Sequence, residues 1–104
     1  MNTLDDRERA FEAKFAHDAQ LQFNATARRN HLLGQWAAAL LNKTQEETKA
    51  YTNEIQRLAM QAPGDDDVMR KLTHDLGDRV DAQTIHAQVK ALMLEAKQQI
   101  RNQN

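Results

Sequence analysis

"LQFNATARRNHLLGQWAAALL", residues 21–41, decides the fold class of this chain. Its apolar residues Leu21, Ala25, Leu32, Leu33, Trp36, Ala37, Leu40 and Leu41 recur mostly at spacings of three, four and seven. That is the period of one buried face of an α-helix. Ala, Gln, Glu, Lys, Arg and Leu dominate elsewhere and are good helix formers. The three glycines and one proline are scarce enough to mark the joins. No alternating β-branched run of useful length occurs, so the fold is expected to be all-α.

Downstream, "NKTQEE" ends this pattern and starts the next, with Thr44 and Glu47 spaced as a capping box. The following helix carries Tyr51, Ile55, Leu58, Ala59 and Ala62 on one face. "APGDDD" breaks the chain at Pro63 and Gly64, and Asp65, Asp66 and Asp67 suit the positive end of another helix. That helix places Val68, Leu72 and Leu76 inside, with Gly77 as its stop. Asp81 caps a last helix bearing Ile85, Val89, Leu92, Met93, Ala96 and Ile100. Four amphipathic helices over 19–101 imply a small four-helix bundle, with 102–104 as a frayed polar tail.

Upstream the pattern continues to Asp5. A continuous helix from Asp5 to Leu41 would reach ~55 Å, against ~30 Å for the last helix, and would overhang the bundle. At ~100° per residue Leu4, Phe11 and Phe15 form one stripe, which Asp18 and Gln22 then interrupt. Residues 1–18 therefore read as an N-terminal arm, helical or partly disordered when alone. It either docks on a partner, with anchors at helical spacing, or folds its two phenylalanines back onto the bundle.

Composition narrows the function. The 104 residues suggest one domain, and a net charge of −1 lacks the positive excess that a general grip on nucleic acid or acidic lipid needs. No apolar run could span a membrane, and the N-terminus has no signal-peptide pattern. A cytoplasmic protein is the expectation. Ser and Cys are both absent, which removes the commonest nucleophiles, disulfides and thiolate metal sites. The isolated glycines 34, 64 and 77 form no phosphate loop. The Asp65–Asp67 run fails as a Ca²⁺ loop, because Arg70 and Leu76 stand where Gly and a bidentate Glu are required. His17, His31, His74 and His86 share no metal-binding helical spacing. His17, beside Asp18, is the candidate for pH sensitivity, against a default of a solvated surface histidine. Arg28 and Arg29 read as a solvated helix face, and Trp36 as core.

The wording of the chain adds a resemblance. "DDRERAFEAKFAHDAQLQF" (5–23) continuing into "ARRNHLLGQWAAALL" (27–41), with "GDDDVMRKL" (64–72) after it, resembles the zeta subunit of alphaproteobacterial F-type ATP synthases over essentially the whole chain. The resemblance implies a four-helix protein that inhibits ATP hydrolysis and is not an enzyme. Its N-terminal segment would enter a catalytic interface between alpha and beta subunits beside the gamma shaft. The segment corresponds to about Met1–Asp18, with Phe11 and Phe15 as apolar anchors flanked by Leu4. Asp5, Asp6, Arg7, Glu8, Arg9 and Lys14 would supply charge pairs. Asn24, His31 and Gln35 depart from the residues expected of relatives, all outside that segment. The resemblance further implies no required cofactor, weak adenine-nucleotide binding at an unplaced site, a monomeric free protein, and a place at the inner face of the inner membrane when bound. The competing readings are a helical adaptor for another complex and a nucleotide sensor without ATPase inhibition.

Overall fold

The computed structural model describes residues 3–103, with side chains from Asp5 onward, as five α-helices in one elongated body of 47 × 25 × 25 Å. Helix α1 spans Thr3–His17, α2 Ala19–Leu40, α3 Gln45–Gln61, α4 Asp66–Leu76 and α5 Ala82–Gln103. The fold is all-α: a four-helix bundle of α2–α5 with α1 as an N-terminal helical arm.

Helix α2 is the spine, packing mainly against α3 and α5. Its buried Leu33, Ala37 and Ala38 meet Tyr51 and Ile55 of α3, Val68, Leu72 and Leu76 of α4, and Ile85 and Leu92 of α5. Trp36 is half-buried and packs on this core rather than inside it. Helices α2 and α3 approach closely at Gly34. A Cβ there would lie 2.6 Å from the Thr52 hydroxyl oxygen and 2.8 Å from its Cα, so only a bare backbone lets α3 cross so near. The buried Thr52 Oγ1 finds no hydrogen-bond partner there.

The joins follow local chemistry. After α2, Asn42 takes a positive φ of 57° and the Lys43 amide donates back to the Ala38 carbonyl at 3.0 Å, closing the helix end. The Thr44–Glu47 capping box forms in both directions, at 3.2 and 2.8 Å. Those bonds from Thr44 hold the Glu47 carboxyl below its ordinary range. Asp81 caps α5 by accepting from the Thr84 amide at 2.8 Å.

Several local expectations change. The Asp5–Leu41 pattern is two helices, because the Asp18 side chain accepts from the amides of Gln20 and Leu21 and begins a new helix instead of continuing the old one. Asp65 occupies the N-cap position of α4 without a capping bond, since its carboxylate is taken by Arg29. Arg29 is not solvated: it is 3% exposed, donating to Asp65 at 2.9 and 2.7 Å and to Asn30 Oδ1 at 2.8 Å. Gly77 ends α4 as expected, in right-handed geometry, and the amides of Arg79 and Val80 turn back onto the Leu76 carbonyl. At the other end of the chain, where 102–104 was expected to fray, α5 continues through Gln103; Asn104 lies outside the described residues.

Candidate functional site: the docked arm

The bend at Asp18 turns α1 back onto the bundle. Its backbone φ of −108° and ψ of 103° make it the single non-helical residue between α1 and α2. A helix that stops leaves its last carbonyls without partners. Gln22 supplies them, its side-chain amide donating to the carbonyls of Phe15 at 3.0 Å and Ala16 at 3.1 Å. Asp18 and Gln22, which interrupt the apolar stripe in the sequence, thus build the elbow.

Beyond the elbow Phe15 is 3% exposed, packed with Ala25 of α2 and Ile100 of α5, and edged by the half-buried Phe11, Leu21 and Met93. The rings of Phe11 and Phe15 stand edge to face, 5.0 Å apart at 65°, a favourable aromatic geometry. Two cations of α5 cover them: Lys97 Nζ lies 5.3 Å from the Phe15 centroid and Arg101 Cζ 5.8 Å from that of Phe11. The same cations approach carboxylates of α1, Lys97–Glu12 at 3.6 Å and Arg101–Glu8 at 3.8 Å. Glu8/Glu12, Phe11/Phe15 and Lys97/Arg101 all share the i, i+4 step, so the two helices mesh antiparallel in one register. The mesh is not tight. A cleft of about 330 Å³ opens beside it, lined in part by Phe15, Gln22, Ala25, Met93 and Lys97.

Of the residues expected to form a partner-binding arm, Phe11 and Phe15 are brought together against the bundle, with Glu8 at their edge. Asp5, Asp6, Arg7, Arg9 and Lys14 are exposed along α1. The Leu4 side chain and residues 1 and 2 lie outside what is described. His17 is exposed at the last position of α1. Sequence reasoning missed the α5 half of the site, Lys97, Ile100 and Arg101. Its signal was the matched i, i+4 spacing of opposite charges in two helices far apart in the chain.

Among the described residues no group of three or more His, Asp or Glu side chains could hold a metal ion. None of their helices is long and apolar enough to cross a membrane.

The fold defines the class: a small all-α protein, a four-helix bundle carrying a charge-studded helical arm. The family model for ATPase inhibitor subunit zeta matches residues 1–99. The chain belongs to that family of ATPase inhibitor subunits. Three solved chains match, among them a solution NMR structure 37% identical, with a TM-score of 0.72, covering 81% of this chain and 99% of its own. No curated protein matches.

Proposed function

We propose that this protein inhibits ATP hydrolysis by an F-type ATP synthase, with α1 as the inhibitory element entering an alpha/beta catalytic interface beside the gamma shaft. The observation that carries this reading is the family match, which includes α1 as well as the bundle. The build of the arm agrees with it: one hinge residue, a contact made chiefly by two rings, and an otherwise exposed helix. The action is steric. A catalytic interface must open and close in each turn, and a helix held in it while closed stops the cycle. Phe11 and Phe15 exchange their contacts on α2 and α5 for contacts in the interface, so the net gain from each ring is the difference between the two burials, small for the already buried Phe15 and larger for the half-buried Phe11. Asp5, Asp6, Arg7, Arg9 and Lys14 act on approach and register more than on affinity.

The test is ATP hydrolysis by a purified alphaproteobacterial catalytic head, titrated with the full chain and with a form lacking residues 1–18. Inhibition by the first alone supports the assignment. Equal inhibition by both moves the function to the bundle, and none by either points to an adaptor. Replacing both Phe11 and Phe15 with Ala weakens inhibition at least tenfold on this reading. His17→Ala shifts the pH profile of inhibition if the histidine contributes, and an unchanged profile removes it.

A further inference from the structure

We infer that the α1 dock is also a self-association site: two copies exchange their α1 arms to form a domain-swapped dimer. The inference stands on the elbow and is independent of any action on an ATPase.

The first observation is that the hydrogen bonds of the elbow can all be replaced in a straight helix. In the bent form Asp18 accepts two amide bonds and Gln22 donates two bonds to carbonyls. In a straight α1–α2 helix the amides of Ala19 and Gln20 would bond the carbonyls of Phe15 and Ala16, and those of Leu21 and Gln22 the carbonyls of His17 and Asp18. The last of these already exists, at 3.1 Å. Every side-chain bond of the elbow therefore has a backbone replacement. The residues around Asp18, EAKFAH before it and AQLQF after it, include enough helix formers to continue through it.

The second observation names the occupant. Straightening exposes Phe15 and, on α2 and α5, the surface of Ala25, Met93 and Ile100 that it covered. That surface is shaped and charged for α1, with Lys97 and Arg101 set one helical turn apart to meet Glu12 and Glu8. A second copy supplies the same helix with the same rungs, so all contacts made within one chain can be remade between two. Exchange through a short hinge is a low-cost route to dimers. Phase also permits it: along a straight helix at ~100° per residue, Phe11 and Phe15 lie on the same side as Ala25, Leu33 and Trp36. The extended arm is thus aimed to the side on which α2 packs.

Charge reversal separates an exchanged dimer from any face-to-face one. In a background of Asp18→Ala, which removes the elbow's cap, one chain carries Glu8→Lys and Glu12→Lys, and the other Lys97→Glu and Arg101→Glu. Each chain alone has clashing rungs, within itself and with its own copy. Mixed, the two restore four attractive rungs, but only if each arm lies on the other chain. Native mass spectrometry with one chain ¹⁵N-labelled should show the heterodimer exceeding either homodimer by roughly tenfold. Sedimentation should show the Asp18→Ala chain dimerising at concentrations at least tenfold below the unmodified chain, and losing the dimer on deletion of residues 1–17. A statistical mixture of dimers, no dimer at any concentration, or a dimer that survives the deletion would overturn the inference.

Discussion

The α1 dock and the α2–α5 core are both helix packings sealed by apolar residues, yet they answer to different rules. The core closes around Leu33, Ile55, Leu72, Leu76 and Ile85, each with no exposure, contributed by four helices. The dock closes around one ring, Phe15, and relies on half-buried neighbours and on cations that remain partly solvated. A contact of the first kind holds the molecule together, whereas one of the second kind can open while the rest stays folded.

Substitution sharpens that contrast most. Leu72→Ala should cost about 2–5 kcal/mol of global stability by leaving a cavity where four helices meet. Phe15→Ala removes more atoms, but its cost should be capped by the docking free energy of α1, because no α1 residue enters the main core. The main thermal transition should move little, while amides of residues 5–17 lose their hydrogen-exchange protection. A loss of bundle stability as large as that of Leu72→Ala would show that the dock is a true part of the core.

Two further changes act inside the bundle, where nothing can swing away. In Gly34→Ala the new methyl meets the Cα of Thr52 at 2.8 Å, and a backbone cannot turn aside as a side chain can. The expected loss is about 1–3 kcal/mol, read by denaturant titration. Asp65→Ala leaves the buried Arg29 guanidinium with only Asn30 as partner; Asp65 is half exposed, so water reaches the site and limits the cost to about 1–3 kcal/mol. Arg29→Met in the Asp65→Ala background should recover part of it, since the unpaired charge is then gone.

The bundle was legible in the sequence because its signals are local. Periodicity marked the helix faces, and Thr44, Glu47 and Asp81 marked starts that form as read. What escaped depended on pairs distant in the chain. Arg29 looked solvated beside Arg28 until Asp65, 36 residues on, took both of its outer nitrogens. The polar break at Asp18 and Gln22 was visible as an interruption, but its meaning was not. An aspartate in mid-helix either points to solvent or caps a new helix, and the choice depends on whether Phe15 has Ile100 to reach. The family likeness was the most specific signal of all, because it rested on particular words and not on periodicity.

The smallest effect is a titration, and it tests whether the bundle's polar seams matter beside its apolar core. Tyr51 donates its hydroxyl to Asp75 at 2.8 Å, and Lys71 bridges Asp75 at 3.1 Å and Glu54 at 3.3 Å while lying 4.9 Å from the Tyr51 ring, so the seam ties α3 to α4. Burial, reinforced by the bond to Asp75, raises the Tyr51 hydroxyl well above its ordinary 10.0. Partial burial is the largest single influence and opposes charge on both Lys71 and Asp75, but the opposing bonds together outweigh it, those to Asp75 and Glu54 for Lys71 and those from Tyr51 and Lys71 for Asp75. Lys71 is thereby held above 10.5 and Asp75 below 3.8. The raised groups stabilise the fold below their unfolded values and lose that contribution as pH rises past about 10. The lowered carboxyl stabilises it above 3.8 and loses that contribution as pH falls through its folded value. Stability should therefore be level between those limits and decline beyond each. Tyr51→Phe keeps the ring and removes the hydroxyl, so it should cost about 1 kcal/mol at neutral pH and soften the alkaline decline. Because α1 has no part in this seam, the same pH profile should persist in a chain lacking residues 1–18. A profile that changes with the arm removed would mean that dock and core are coupled after all.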